Sequence, residues 1–323
     1  MDPKLEQGLV LRTDAKVCHV RVGDRVVQAA PRGILFGSGE EQRSEQKNPV
    51  AVGDLVEVDL ASNPASLERV LPRRNWLSRT ASSHDPREQV LAANVDQLFV
   101  IASVQKPGFS SNRTDRILAS CVWSEIPATL VVNKVDLSDE EELTAIGSTY
   151  TKAGVPVLLT SAADGRGVDD LRERLRDKVS VLYGASGAGK SSLLNLVEPG
   201  LKLKVGKISR YWDTGKHTTT YSQLHPLSIG GAVVDTPGIR VFRPYGVPIA
   251  ALRDLFPEFA PFQERCRFPD CTHDHEPDCG VFPAVERGEV AASRYASYVE
   301  MLDELRTTAP EADEPDAERE AVE

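Results

Sequence analysis

The sequence predicts a multidomain protein: an N-terminal all-β barrel, a central α/β domain with a mostly parallel sheet, and a C-terminal segment that is helical and rich in cysteine and proline. Three observations carry that reading. Short β-rich runs punctuated by glycines fill residues 1 to about 75, the rhythm of a small barrel. From about Asn94, short apolar runs alternate with helical stretches, which implies strands covered on both faces by helices. After about Ile249 no strand pattern remains, and three of the five cysteines fall within fourteen residues.

In the first region the runs 17–22, 24–29 and 54–60 are separated by Gly23, the glycines of 33–39 and Gly53. Its 11 basic and 11 acidic side chains cancel. In the second region, residues 95–103, 128–132, 155–160, 179–183 and 232–234 have the length and apolarity of buried strands. Helices are expected over 112–123, 168–178 and 190–197, and a last one over 291–305. The expected division is 1–75 barrel, 76–248 α/β domain, 249–309 helical domain and 310–323 acidic tail. A chain of 323 residues with 41% hydrophobic residues can build such cores and is not wholly disordered.

Charge sums to −10, but seven acids against Arg319 alone place −6 of it in residues 310–323. An acidic total therefore does not exclude a nucleic-acid partner, whose footprint would be local. Residues 1–16 carry Asp2, Lys4, Glu6 and Arg12 and lack a secretory apolar core. No apolar run approaches the roughly 18 residues that span a bilayer. A soluble, cytoplasmic protein without membrane contact is expected, and an isolated cysteine trio beside histidines fits a reducing compartment.

The chemistry begins at Gly184-Ala185-Ser186-Gly187-Ala188-Gly189-Lys190-Ser191, followed by Ser192. It matches the P-loop pattern, behind an apolar strand and opening a helix. Glycines let backbone N–H groups curl around a β-phosphate, and the helix N-terminus adds partial positive charge. Lys190 would reach the β- and γ-phosphates, and the Ser191 hydroxyl would bind Mg²⁺. Asn133-Lys134-Val135-Asp136 stands at the carboxyl end of the 128–132 strand, where open α/β sheets bind ligands. The Asp136 carboxylate can accept from the ring N–H and exocyclic amine of guanine. Adenine offers no such pair and would leave a desolvated carboxylate unpaired. Lys134 can cover the base and Asn133 can brace the loop. Ser161-Ala162 can offer a backbone N–H to the guanine carbonyl, and Asp235-Thr236-Pro237-Gly238 fits the turn that senses magnesium and the γ-phosphate. The chain is expected to bind GTP and GDP.

The order of these motifs is Asn133–Asp136, Ser161–Ala162, Gly184–Ser191, Thr218–Thr220, then Asp235–Gly238, a circular permutation of the usual GTPase order. With a β-module in front, the run Gly215-Lys216-His217-Thr218-Thr219-Thr220 and a cysteine cluster behind, the chain closely resembles the RsgA (YjeQ) family of small ribosomal subunit biogenesis GTPases. The resemblance covers nearly everything but the acidic tail. It implies an N-terminal OB-fold, a circularly permuted P-loop GTPase domain and a C-terminal zinc domain. It also implies a role in late 30S maturation in bacterial cytoplasm, with 16S rRNA contacted and hydrolysis stimulated by the subunit.

Where many GTPases place a water-orienting glutamine after the Asp-x-x-Gly turn, this chain has Ile239. His217 is the best candidate for orienting or deprotonating water, as its counterpart is implicated in the family; an RNA contact or an exposed loop histidine is the other reading. Thr219 is the choice for Mg²⁺ and γ-phosphate, with Thr218 and Thr220 open. Lys202, Lys204, Lys207, Arg210 and Lys216 meet only Asp213, with Tyr211 and Trp212 between them, a composition suited to RNA. Cys266-x₄-Cys271-x-His273-x₅-Cys279 supplies a closed ligand set for one structural zinc. His275 competes on spacing alone, and the family pattern favours His273. From 250 to 309 there are 6 basic and 12 acidic residues, so that region is no general RNA surface. One self-contained site suggests a monomer. Two rival functions are a GTP/GDP-sensing RNA-binding module with incidental turnover and a metal-dependent phosphohydrolase acting on other substrates.

Overall fold

In the computed structural model, which describes residues 5–14, 16–33, 46–82, 84–203, 222–235 and 242–308, five strands close a barrel. They are β1 (Leu5–Thr13), β2 (Cys18–Val22), β3 (Arg25–Pro31), β4 (Leu55–Asp59) and β5 (Ala65–Val70). The order β1-β2-β3-β5-β4 returns to β1, with β3 and β5 parallel and every other pair antiparallel. This is the five-stranded Greek-key closure of an OB-type barrel. Alternate residues point inward, so Val10, Val20, Val22, Val56, Val58 and Leu67 form its core. Three of these strands, β2, β3 and β4, are legible as apolar runs in the sequence. β1 and β5 are not, because polar residues break their apolar runs, and β1 buries only Gly8 and Val10. A separate antiparallel pair follows, β6 (Trp76–Ser82) with β7 (Asp85–Ala93).

The α/β part has the strand order β10-β9-β8-β11-β13-β12. β8 (Gln97–Ser103), β9 (Ala128–Asn133), β10 (Val157–Thr160), β11 (Val179–Gly184) and β13 (Ala232–Asp235) run parallel. β12 (Gln223–Pro226), absent from the sequence reading, pairs antiparallel with β13 and also meets β1 at Arg12↔Gln223, so barrel and sheet share one ladder. Because side chains alternate across a strand, Leu98, Val100, Val181 and Tyr183 pack on one face, and Phe99, Ile101 and Leu182 on the other.

Four helices cover these faces: α1 (Ser111–Trp123), α2 (Glu140–Lys152), α3 (Val168–Leu175) and α4 (Lys190–Val197). Their starts are chemically marked. The Ser110 side chain caps α1, and Asp139 caps α2 by accepting from the Glu142 N–H at 2.9 Å. Three glutamates in the first turn of α2 complement its dipole. α3 ends three residues before the expected 178, where Asp177 takes a left-handed φ of 56°.

Residues from Val247 form a second compact unit. It consists of short helical turns over Ile249–Leu255, Pro257–Phe259 and Ala260–Gln263, then α5 (Val281–Glu286) and α6 (Ala292–Thr308). No strand occurs there among the described residues. Its core is aromatic: Phe256 stacks on Phe259 at 5.4 Å, and Tyr298 meets the Phe259 edge at 5.1 Å. Beside it, Arg294 makes a bidentate ion pair with Glu258 at 2.6 and 3.1 Å and lies over the Phe256 ring. Both partners are almost fully buried. No helix among the described residues is long and apolar enough to cross a membrane.

Candidate nucleotide site and metal centre

The parallel register brings separated motifs to one edge of the sheet. Asn133 lies opposite Ser103 and Thr160, Gly184 opposite Ile101, and Leu182 opposite Asp235. Ser103, Asn133, Thr160, Gly184 and Asp235 are the last residues of their strands, at the ligand-binding edge of such sheets.

At the end of β11 the chain turns into α4 through the P-loop. Gly184 must be glycine because a Cβ there would land on the Ile101 carbonyl. Gly189 has φ +100°, and its Cβ would land on the Asn133 amide nitrogen. Ala188 is buried among the residues under the loop, while Ser186 is exposed and Ser191 and Ser192, in the first turn of α4, are half-buried. The Lys190 Nζ donates to the Gly184 carbonyl at 2.7 Å and to that of Ala185 at 3.2 Å. Burial holds its ammonium below the ordinary lysine range, an effect opposed by Asp235. Burial likewise pushes the Asp235 carboxyl up, against the pull of Lys190 and His225. Lysine and carboxylate thus share one poorly hydrated corner. His225, on β12, is a neighbour the sequence reading did not name; burial holds it below the usual histidine range.

The other half of the edge is a hydrogen-bonded frame. The buried Asn133 amide donates to the Ala188 carbonyl at 2.8 Å, tying β9 to the P-loop, and accepts from the Thr160 hydroxyl at 3.2 Å. Val135 is buried and Asp136 follows it in a short helical turn. The Ser161 hydroxyl donates to Asp136 Oδ1 at 2.6 Å and accepts from the N–H groups of Ala163 and Asp164. Ala162, partly buried, packs against the core beneath. Lys134 takes a left-handed φ of 64° and donates to the carbonyls of Gln105, at 3.2 Å, and Lys106. That loop after β8 is a second feature missing from the sequence reading. His217, Thr219 with its neighbours Thr218 and Thr220, and Gly238 lie outside the described residues.

In the second unit, Cys266, Cys271, His273 and Cys279 bring their ligand atoms within 4.8 Å of one another. His273 Nδ1 is 3.5 Å from both the Cys266 and the Cys279 sulfur. A tetrahedral ion at about 2.3 Å from sulfur and about 2.0 Å from nitrogen sets that separation at about 3.5 Å, so the donor set fits such an ion. Burial pushes the Cys271 thiol up to about 12 and Cys279 up as well, a penalty on thiolates that a bound cation removes. The Gly280 N–H donates to Cys266 Sγ at 3.2 Å, and Tyr295 and Tyr298 hold the His273 and Thr272 carbonyls. His273 Nε2 is buried without a hydrogen-bond partner among the described residues. His275, the competing ligand on spacing alone, is exposed and turned toward Asp274.

A P-loop on the central strand and an Asn-Lys-x-Asp turn two strands away, met in reversed chain order, define a circularly permuted GTPase. Known proteins agree. The RsgA GTPase family matches residues 70–244. Small ribosomal subunit biogenesis GTPase RsgA of Bacteroides fragilis is 36% identical over 303 residues, 92% of this chain and 96% of the relative. RsgA 2 of Bacteroides thetaiotaomicron is 39% identical over the same shares. The crystal structure of YjeQ from Thermotoga maritima superposes with a TM-score of 0.72 at 34% identity, covering 94% of this chain and 100% of that one. That of YloQ, described as a circularly permuted GTPase, gives 0.65 at 28% identity over 95% and 97%. The chain belongs to the RsgA GTPase family.

Proposed function

We propose that this protein hydrolyses GTP as an assembly factor of the small ribosomal subunit, binding the nearly mature 30S particle and leaving after hydrolysis. The observation that carries this reading is the convergence of the P-loop, Asp136 and Ser161 on one sheet edge, in a chain of the RsgA family. Backbone N–H groups of residues 184–190 cradle the β-phosphate. Lys190 exchanges its carbonyl partners for β- and γ-phosphate oxygens. Ser191 and Thr219 would hold Mg²⁺, which would supply positive charge against that of the phosphates. Asp136, steadied by Ser161, accepts the guanine ring N–H and amine, and the Ala162 N–H meets the guanine carbonyl. Asp235 and Gly238 sense the γ-phosphate. His217 orients the attacking water, a task Ile239 cannot perform.

The Cys266, Cys271, His273 and Cys279 site holds structural zinc, and the barrel contacts 16S rRNA as a monomer in the cytoplasm. Ser161→Ala removes one donor from the Asp136 carboxylate. It is expected to weaken GTP and GDP alike by roughly five- to thirtyfold, about 1–2 kcal/mol, with turnover at saturation unchanged, as read by fluorescent-nucleotide titration.

The deciding experiment measures GTP turnover alone and with 30S, 50S or 70S particles. Stimulation of about tenfold or more by 30S alone is expected; equal rates in every condition would sink the ribosomal reading. With 30S present, His217→Ala should lower turnover by about a hundredfold without changing GDP affinity. Unchanged stimulated turnover removes the catalytic assignment.

A further inference from the structure

Beside the P-loop, a small cleft opens between the carboxyl ends of β8 and β11. Connectivity reverses there: β8 leads through α1 to β9 on one side, while β11 leads through α4 toward β12 and β13 on the other. Crevices at such reversal points are the ligand sites of open α/β sheets. The cleft borders Gly184 and Ala185 but is walled by residues that the nucleotide reading leaves idle: Ser110, Arg113 and Thr114 of the α1 start, and Tyr183 of β11.

Three features give it one chemistry. The Tyr183 hydroxyl belongs to a residue only 1% exposed and has no hydrogen-bond partner among the described residues, a cost that a ligand accepting its proton would remove. Burial pushes that hydroxyl up to about 12 despite the pull of Arg113, Arg79 and Arg116, so it stays a donor. Among the described residues, Arg113 has no carboxylate partner and no acidic side chain lines the cleft. The positive end of the thirteen-residue α1 also opens here, with no acid in its first turn. A water molecule would satisfy the hydroxyl but leave the guanidinium and the helix end without counter-charge.

We infer that this cleft is a second oxyanion site, separate from the P-loop cradle, which takes one free tetrahedral oxyanion of the inorganic phosphate class between Tyr183, Arg113 and the α1 N-terminus. Tyr183 donates its O–H, Arg113 donates charged N–H groups, and the Ser110 and Thr114 hydroxyls border the remaining oxygens. The proposal does not depend on the ribosomal role.

The test uses the full chain saturated with Mg²⁺ and a non-hydrolysable GTP analogue, so that the γ-phosphate position is already filled. Binding of radiolabelled inorganic phosphate is then followed by equilibrium dialysis. One equivalent is expected to bind. Arg113→Ala should weaken it by about tenfold or more, and Tyr183→Phe, which removes only the hydroxyl, by about three- to tenfold. Affinity for the GTP analogue, unchanged within about twofold in both variants, verifies that they are folded. No phosphate uptake up to roughly 10 mM, or equal uptake by the unsubstituted protein and both variants, overturns the proposal.

Discussion

Gly189→Ala is expected to lower guanine-nucleotide affinity by about a hundredfold or more while the chain stays folded. Two independent effects act at this position. The backbone φ of +100° is one that L side chains rarely adopt, and holding alanine there costs about 1–3 kcal/mol. The added methyl would also land on the Asn133 amide nitrogen. That amide is fully buried and holds the Ala188 carbonyl at 2.8 Å, so displacing it unties the P-loop from the strand leading to Asp136. Losing a buried hydrogen bond costs about 1–3 kcal/mol more. Together, about 3 kcal/mol corresponds to roughly 150-fold in affinity. Calorimetric titration with GDP, beside a thermal melt, measures both quantities. Affinity within about threefold of the unsubstituted protein would show that the loop yields without cost.

Removing the metal is expected to have the other large effect, confined to the second unit. A segment this short rarely holds more than about 3–5 kcal/mol of core stability, whereas a structural zinc site contributes about 10–16 kcal/mol in small domains. The geometry makes the dependence plain: Cys271 and His273 are each about 1% exposed, His273 has a left-handed φ of 58°, and its ring packs edge-on to Phe259 at 6.0 Å. Without a cation, one buried thiol and a strained histidine stand beside the aromatic cluster. Chelator treatment, or Cys271→Ser, should therefore open cleavage sites within 247–308 to limited proteolysis while residues 46–203 resist. Equal resistance before and after chelation would show that the aromatic core holds the unit alone.

What could be read from the chain divides along a physical line. The P-loop and the Asn133–Asp136 turn are legible because their chemistry depends on consecutive residues, and α4 begins at Lys190 as the motif demands. The parallel strands are legible as uninterrupted apolar runs. β12 is not, because its four residues, Gln-Leu-His-Pro, bury only Leu224. Lys134 Nζ meets the Lys106 carbonyl across 28 residues, a contact no local pattern encodes. Tyr183 reads as one more apolar strand residue, and only the packing reveals its stranded hydroxyl. The cysteine spacing indicates a metal but does not choose between His273 and His275; the fold does, by burying one and exposing the other.

Permutation also sets a timetable for synthesis. β11 lies between β8 and β13 in the sheet, yet it follows β8, β9 and β10 in the chain. Until it emerges, the apolar edge of β8, residues 97–103, has no partner on that side. The wait from residue 103 to residue 179 lasts roughly 4–15 s at ordinary translation rates. Unpaired edges of this kind invite mispairing. The base-reading half of the nucleotide site is thus made first and carried as an open, adhesive sheet. The half that grips phosphate arrives later as the missing central strand, so sheet completion and the ability to hold a nucleotide begin at the same moment of translation.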